Sequence, residues 1–282
     1  MTASREHALD ALGIQRWRRR GTGETTGLPA QDLRPIEAPR ENGARDEGER
    51  SPNLAGGRPG PGAGHATPPR TGLADAPPSL DVPPAPPYVP PTDWSGLRAA
   101  VAECRRCRLC QTRHHTVFGV GPERGELMIV GEGPGAGEDA SGEPFVGRAG
   151  KLLDDMLRAI GRSRARDTFI TNVVKCRPPG NRDPLPDEVA ACRPYLDRQI
   201  ELLRPRLILG LGRVAASRLL GTDLPMSRLR GSLHHYGSQS TPVMLTYHPA
   251  YLLRSPRDKA KAWQDLKEVV RFLKSIADVA AP

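Results

Sequence analysis

Three scarcities bound what this 282-residue chain is. It has no apolar run near the roughly 20 residues that a membrane-crossing helix needs. Its opening stretch, "MTASREHALDALGIQRWRRR", lacks the uninterrupted apolar core of a secretory signal. A cytoplasmic protein with no membrane partner is therefore expected. Aromatic residues make up only 4% of the chain, and none falls between Trp17 and Tyr88. Thirteen of the fifty residues from 51 to 100 are proline. Such a segment cannot bury enough apolar surface to offset its ordering entropy, so residues 22–90 read as a disordered Pro/Gly-rich linker. Cysteine is also scarce. Five residues, three of them clustered, suit a reducing compartment and a metal site better than a disulfide framework.

What is present lies mostly beyond the linker. The formal charge of +9 divides unevenly: residues 1–93 carry eleven Arg against twelve Asp and Glu, and residues 94–282 carry a net +10. The region expected to fold, residues 91–282, is therefore the basic part, which suits a polyanionic partner. It shows four short apolar runs, "ELMIVGEG", "DTFITNVVKC", "PRLILGLG" and "PVMLTYHP", each followed by an amphipathic stretch. That alternation predicts an α/β fold, three-layer α/β/α, around a central, mostly parallel four-stranded sheet. Ligands of such sheets bind at the carboxyl ends of the strands. Those ends hold "GEGPG", "NVVKC", "GLG" and "YHPAYLLR".

Cys104 and Cys107 form a C-x2-C pair, and Cys176 and Cys192 flank a later loop with fifteen residues between them. Four thiols so arranged suit tetrahedral zinc or an iron–sulfur cluster, which spacing alone does not separate. Cys110 extends the first pair and competes for a ligand role. Gly131, Gly133 and Ala136 match a dinucleotide-binding pattern, yet Glu132, Glu138 and Asp139 crowd the same loop. Carboxylates oppose a pyrophosphate there and suit a neutral ligand, a positioned water or a developing cation. A second such pattern, Gly210–Ala215, precedes a helix and is assigned to packing or phosphate contact.

"GEGPGAGEDASGEPFVGRAG", "TNVVKCRPPGNRDPLPDE" and "YHPAYLLR" occur in that order, with the four cysteines at matching places. Together they resemble the family 4 uracil-DNA glycosylases over about residues 100–275. The resemblance implies release of uracil from DNA and a [4Fe–4S] cluster on Cys104, Cys107, Cys176 and Cys192. It implies that Phe145 stacks on the extruded base and that Asn172 reads its pyrimidine edge. Backbone groups of Gly131, Glu132 and Gly133 would line the pocket, and His248 would hydrogen-bond uracil O2. Glu132 and Glu138, with Asp139 third, are then the carboxylates for the sugar cation and the attacking water. Asn181 is a candidate for the water or a phosphate, and Leu252, Leu253 and Arg254 for a wedge into the duplex. The loop "RPPGNRDPLPDE" lacks the inserted histidine of the branch that forms a covalent DNA adduct, so ordinary hydrolysis is expected. A monomer is a separate expectation. Two other classes stay open on residues alone: an iron–sulfur nucleotide-binding redox protein, and a noncatalytic nucleic-acid-binding module with structural metal.

Residues 1–21 read as an amphipathic, basic peptide in which Leu9, Leu12, Ile14 and Trp17 would share one face, suited to a partner or, alternatively, to a nonspecific DNA-binding arm. Residues 5–20 resemble the clamp-loader peptide of the ψ subunit that docks on χ. On a long linker it would raise the enzyme's local concentration at replication forks.

Overall fold

The computed structural model describes residues 88–279. The terminal peptide and nearly all of the linker expectation lie outside those residues. Helix α1 (Trp94–Ala102) comes first, capped by the Asp93 carboxylate, which accepts from Gly96 N at 2.8 Å. Strand β1 (Leu127–Gly131) leads to the short α2 (Ala136–Ser141) and to α3 (Arg148–Ala159). Then come β2 (Thr168–Asn172), α4 (Pro186–Leu203), β3 (Leu207–Leu211), α5 (Gly212–Leu220) and α6 (Met226–Leu229). The chain continues through β4 (His234–Tyr236), β5 (Thr241–Thr246), α7 (Pro249–Arg254) and α8 (Lys259–Val279).

The sheet order is β2-β1-β3-β5-β4, parallel except for the antiparallel β4–β5 pair. The expectation of four strands is thus corrected to five. The fifth was illegible because it is three residues long, with two histidines and one tyrosine, and carries no apolar alternation. Its place is at the edge of the sheet, where a short polar strand leaves little unpaired backbone to template aggregation.

Every residue of β1, β2 and β3 is buried, because helices cover both faces of a parallel sheet. Alternation along β1 splits the core in two. Met128 and Val130 face the layer of α1, α4 and α5, while Leu127 and Ile129 face that of α3 and α8. The compact region also begins earlier than residue 91. The Tyr88 ring meets Tyr195 edge-on at 5.4 Å, and the Arg106 guanidinium lies 4.1 Å over its face.

Strand register aligns the strand ends. Gly131 pairs with Asn172, so β1 and β2 open side by side on the edge where β3 and β5 also end.

Candidate active site

A cleft of about 470 Å³ opens at that edge. Its walls include Glu132, Glu138, Phe145, Asn172, Asn181, Asp183, His248 and Arg254. Gly131 makes the room. A Cβ on it would lie 2.4 Å from Asn172 Oδ1 and 2.7 Å from Phe145 Cζ. Asn172 itself is 2% exposed, and its Oδ1 is a buried acceptor without a hydrogen-bond partner. Such an atom is costly to bury unless a ligand supplies the missing donor.

Phe145 holds a left-handed backbone, φ 56°, which an aromatic residue adopts only under constraint. Arg164 supplies it, donating to Pro144 O at 3.0 Å and Phe145 O at 3.1 Å while Asp154 anchors its Nε at 2.8 Å. Gly150 lies directly beneath, since a Cβ there would meet Phe145 O at 1.7 Å. The ring is thereby set 5.6 Å from His248, tilted by 30°.

His248 caps α7, its Nδ1 accepting from Ala250 N at 3.1 Å. The neutral ring therefore carries its proton on Nε2. Burial, then the nearby Arg254 charge, pull the imidazole down to about 4, so it is neutral at physiological pH. The second glycine pattern packs around this residue. Gly212, at φ +82°, backs His248 so closely that a Cβ would lie 2.9 Å from the histidine's own, and Gly210 lies against Leu245.

The carboxylates separate by environment. Glu138 closes the loop, with Oε2 accepting from Gly135 N and Oε1 from Val146 N, both at 3.1 Å. Asp139, next in α2 and turned about 100° around the helix axis, is 1% exposed. It accepts from His114 N at 2.9 Å and pairs with the His114 ring at 2.8 Å. The expectation that Asp139 joins the catalytic group is therefore corrected: it is not among the cleft residues and fastens α2 to the segment before β1. Glu132 is pushed up to about 7, first by burial and then by the charge and hydrogen bond of Asp183, against the pull of Arg213. Asp183 in turn pairs with Arg213 at 2.7 Å. Nothing in the spacing of the chain marked this pair. Asn181, at φ 56°, accepts from Arg177 Nε at 2.8 Å, and Arg182 is held by a bidentate pair with the buried Glu188 at 2.8 and 2.6 Å.

The expected wedge is also revised. "PAYLLR" is helix α7, and Leu252 is fully buried in the core beside α3 and α8. It is unavailable to DNA. Leu253 is half-buried against the same core, whereas Arg254 is exposed and lines the cleft. Tyr251, which no motif singled out, lines it as well.

On the other face of the β2 end, Cys104, Cys107, Cys110, Cys176 and Cys192 line one small pocket. Arg113 donates to Cys176 Sγ at 3.1 Å, and Lys175 N donates to Cys192 Sγ at 3.3 Å. Burial, the leading cause, pushes the thiols of Cys176 and Cys192 up to about 11 and about 12. Among the described residues no three His, Cys, Asp or Glu approach closely enough to hold one ion.

The family model of the uracil DNA glycosylase superfamily matches residues 118–267, more than half of the chain. The type-4 uracil-DNA glycosylase of Archaeoglobus fulgidus is 45% identical over 175 residues, covering 60% of this chain and 87% of that protein. This chain is a type-4 member of the superfamily. The type-4 proteins of Sulfurisphaera tokodaii (42% over 179 residues; 61% of this chain, 81% of that one) and Thermotoga maritima (41% over 178 residues; 62% and 91%) match similarly. In this type-4 chain the fold brings Glu132, Glu138, Phe145, Asn172, Asn181 and His248 to one cleft from positions more than a hundred residues apart.

Proposed function

We propose that the chain is a DNA-repair glycosylase that hydrolyses the N-glycosidic bond of deoxyuridine in DNA, releasing uracil and leaving an abasic site. The observation that carries this reading is the unpartnered Asn172 Oδ1, buried in a cleft between Phe145 and His248. Uracil supplies the donor it lacks at N3–H, and the same carboxamide donates to O4. Cytosine offers an unprotonated N3 and an amino group there, so both contacts fail and buried polar groups go unpaired. Phe145 stacks on the base once it has left the helix.

When the C1′–N1 bond breaks, its electron pair stays on the base and is shared with O2. A neutral His248, donating from Nε2, binds that oxygen more strongly as charge develops and so favours the transition state. Water adds to C1′ and gives up a proton. Glu132 is the carboxylate suited to receive it, because its value near 7 matches the operating pH. Glu138, both oxygens engaged by backbone N–H groups, shapes the pocket instead. Arg254 and Asn181, at the rim, meet the phosphates.

Cys104, Cys107, Cys176 and Cys192 would hold a [4Fe–4S] cluster. When bound, it supplies a structural tie between the α1 segment and the β2 end, and the N–H donors to Cys176 and Cys192 suit ligated, anionic sulfurs. Residues 5–20 tether this monomeric enzyme to a clamp-loader subunit, and loss of co-purification in Trp17→Ala is the check. Residues 22–87 serve as its linker.

The decisive test is uracil release from a single-uracil oligonucleotide. Asn172→Ala and His248→Ala are each expected to lower the single-turnover rate by about 10²–10³-fold, and unchanged rates for both would overturn the reading. Stoichiometric iron and a brown colour check the cluster.

A further inference from the structure

Lys175 is 1% exposed, an ammonium enclosed at the end of β2. Its Nζ donates to Thr171 Oγ1 at 2.6 Å, Asn172 O at 2.7 Å and Gln199 Oε1 at 2.7 Å. All three acceptors are neutral, an expensive way to bury a charge that an apolar side chain of equal length would avoid. The acceptors are themselves fixed, since Thr171 Oγ1 and Gln199 Nε2 both donate to Phe118 O at 2.9 Å. The same residue's backbone N reaches Cys192 Sγ, and Cys176 is its neighbour in the chain.

We infer that Lys175 is a positioning residue: by gripping the Asn172 carbonyl it sets the aim of the Asn172 carboxamide and joins the cysteine pocket to the uracil-reading wall. The inference rests on the proposal that Asn172 reads uracil. The geometry supports it from both sides. Val173 N donates to Gly131 O at 2.9 Å, so the strand continues past Asn172 on the β1 side. Lys175 takes the Asn172 carbonyl on the opposite side, so the one peptide group between Asn172 and Val173 is held at both its N–H and its C=O, and the backbone from which the carboxamide projects is fixed. The anionic cluster proposed for the cysteines would give the ammonium the counter-charge that its three acceptors lack.

The test is a double-mutant cycle in the full chain, read as the Kd for free uracil and as KM against kcat on uracil-containing DNA. Iron content and the unfolding midpoint accompany each variant. Lys175→Met is expected to keep its iron, weaken uracil about tenfold and raise KM more than it lowers kcat. In an Asn172→Ala background the same change is expected to alter uracil affinity by less than twofold, because the group through which it acts is gone. A purely structural role gives the same loss in both backgrounds, and that result, or no loss in either, overturns the inference. Should Lys175→Met fail to fold, Gln199→Met removes one acceptor and is read through the same cycle, with a loss of about threefold expected. If wild type neither binds uracil nor responds to Asn172→Ala, the glycosylase reading fails first and this inference falls with it.

Discussion

Gly131→Ala adds one methyl group where β1 and β2 part. A Cβ would lie 2.4 Å from Asn172 Oδ1 and 2.7 Å from Phe145 Cζ, where real contacts do not fall below 3.0 Å. Asn172 must then retreat by at least 0.6 Å and the Phe145 ring by at least 0.3 Å. Register pairing and the Lys175 bond hold the Asn172 backbone, and Arg164 and Gly150 hold that of Phe145. The shift therefore falls on the two side chains that line the cleft. Displacement of a positioned group by about 1 Å costs on the order of 10²-fold in rate, so a loss of about 30–100-fold, about 2–2.7 kcal/mol, is expected. The assay is single-turnover uracil release, with iron content and unfolding midpoint to show an intact fold. Gly137→Ala in α2 is the control, because its Cβ would meet only Val146 Cγ2 at an ordinary 3.4 Å, and it is expected within twofold of wild type. A Gly131→Ala rate within threefold of wild type would refute the reasoning.

The same site carries other expectations. Activity should rise with pH through about 7 as Glu132 ionises, and Asp183→Asn, which removes the raising charge and leaves Arg213 free, should move that midpoint toward 4.5. An unmoved pH–rate profile would remove the pair from the mechanism. His248, depressed to about 4, should contribute no titration to activity between pH 5 and 7. Because the unfolded imidazole gains a proton that the folded one refuses, its stabilisation is present above the ordinary 6.5 and lost as pH falls toward 4. Denaturant unfolding of His248→Gln should show a shallower acid slope over that window. Leu252→Ala, a core truncation, should cost about 2–5 kcal/mol of stability. A variant that loses DNA affinity at unchanged stability would restore the wedge.

The local order of the chain was legible from composition and periodicity. Short apolar-rich runs announced β1, β2 and β3, because a strand buried on both faces needs no polar alternation. The motifs at their ends were readable for the same reason: side chains at the carboxyl edge of such a sheet have no core to serve. The short β4 was not legible, since three residues establish no period. Leu252 misled because "YLLR" is equally consistent with an exposed turn and with one turn of helix, and only packing on α3 and α8 separates them.

What residue order alone determined, then, was an α/β chain with a basic body, a cysteine set and a carboxylate-rich first loop. Which carboxylate does what was decided by tertiary contact. Glu132, Glu138 and Asp139 lie within eight positions of one another, yet one meets Asp183, one closes its own loop and one is buried against His114. The physical reason is that desolvation and hydrogen-bond partners set a carboxyl group's chemistry, and Asp183, carried on the loop beyond β2, is supplied only once the chain has folded.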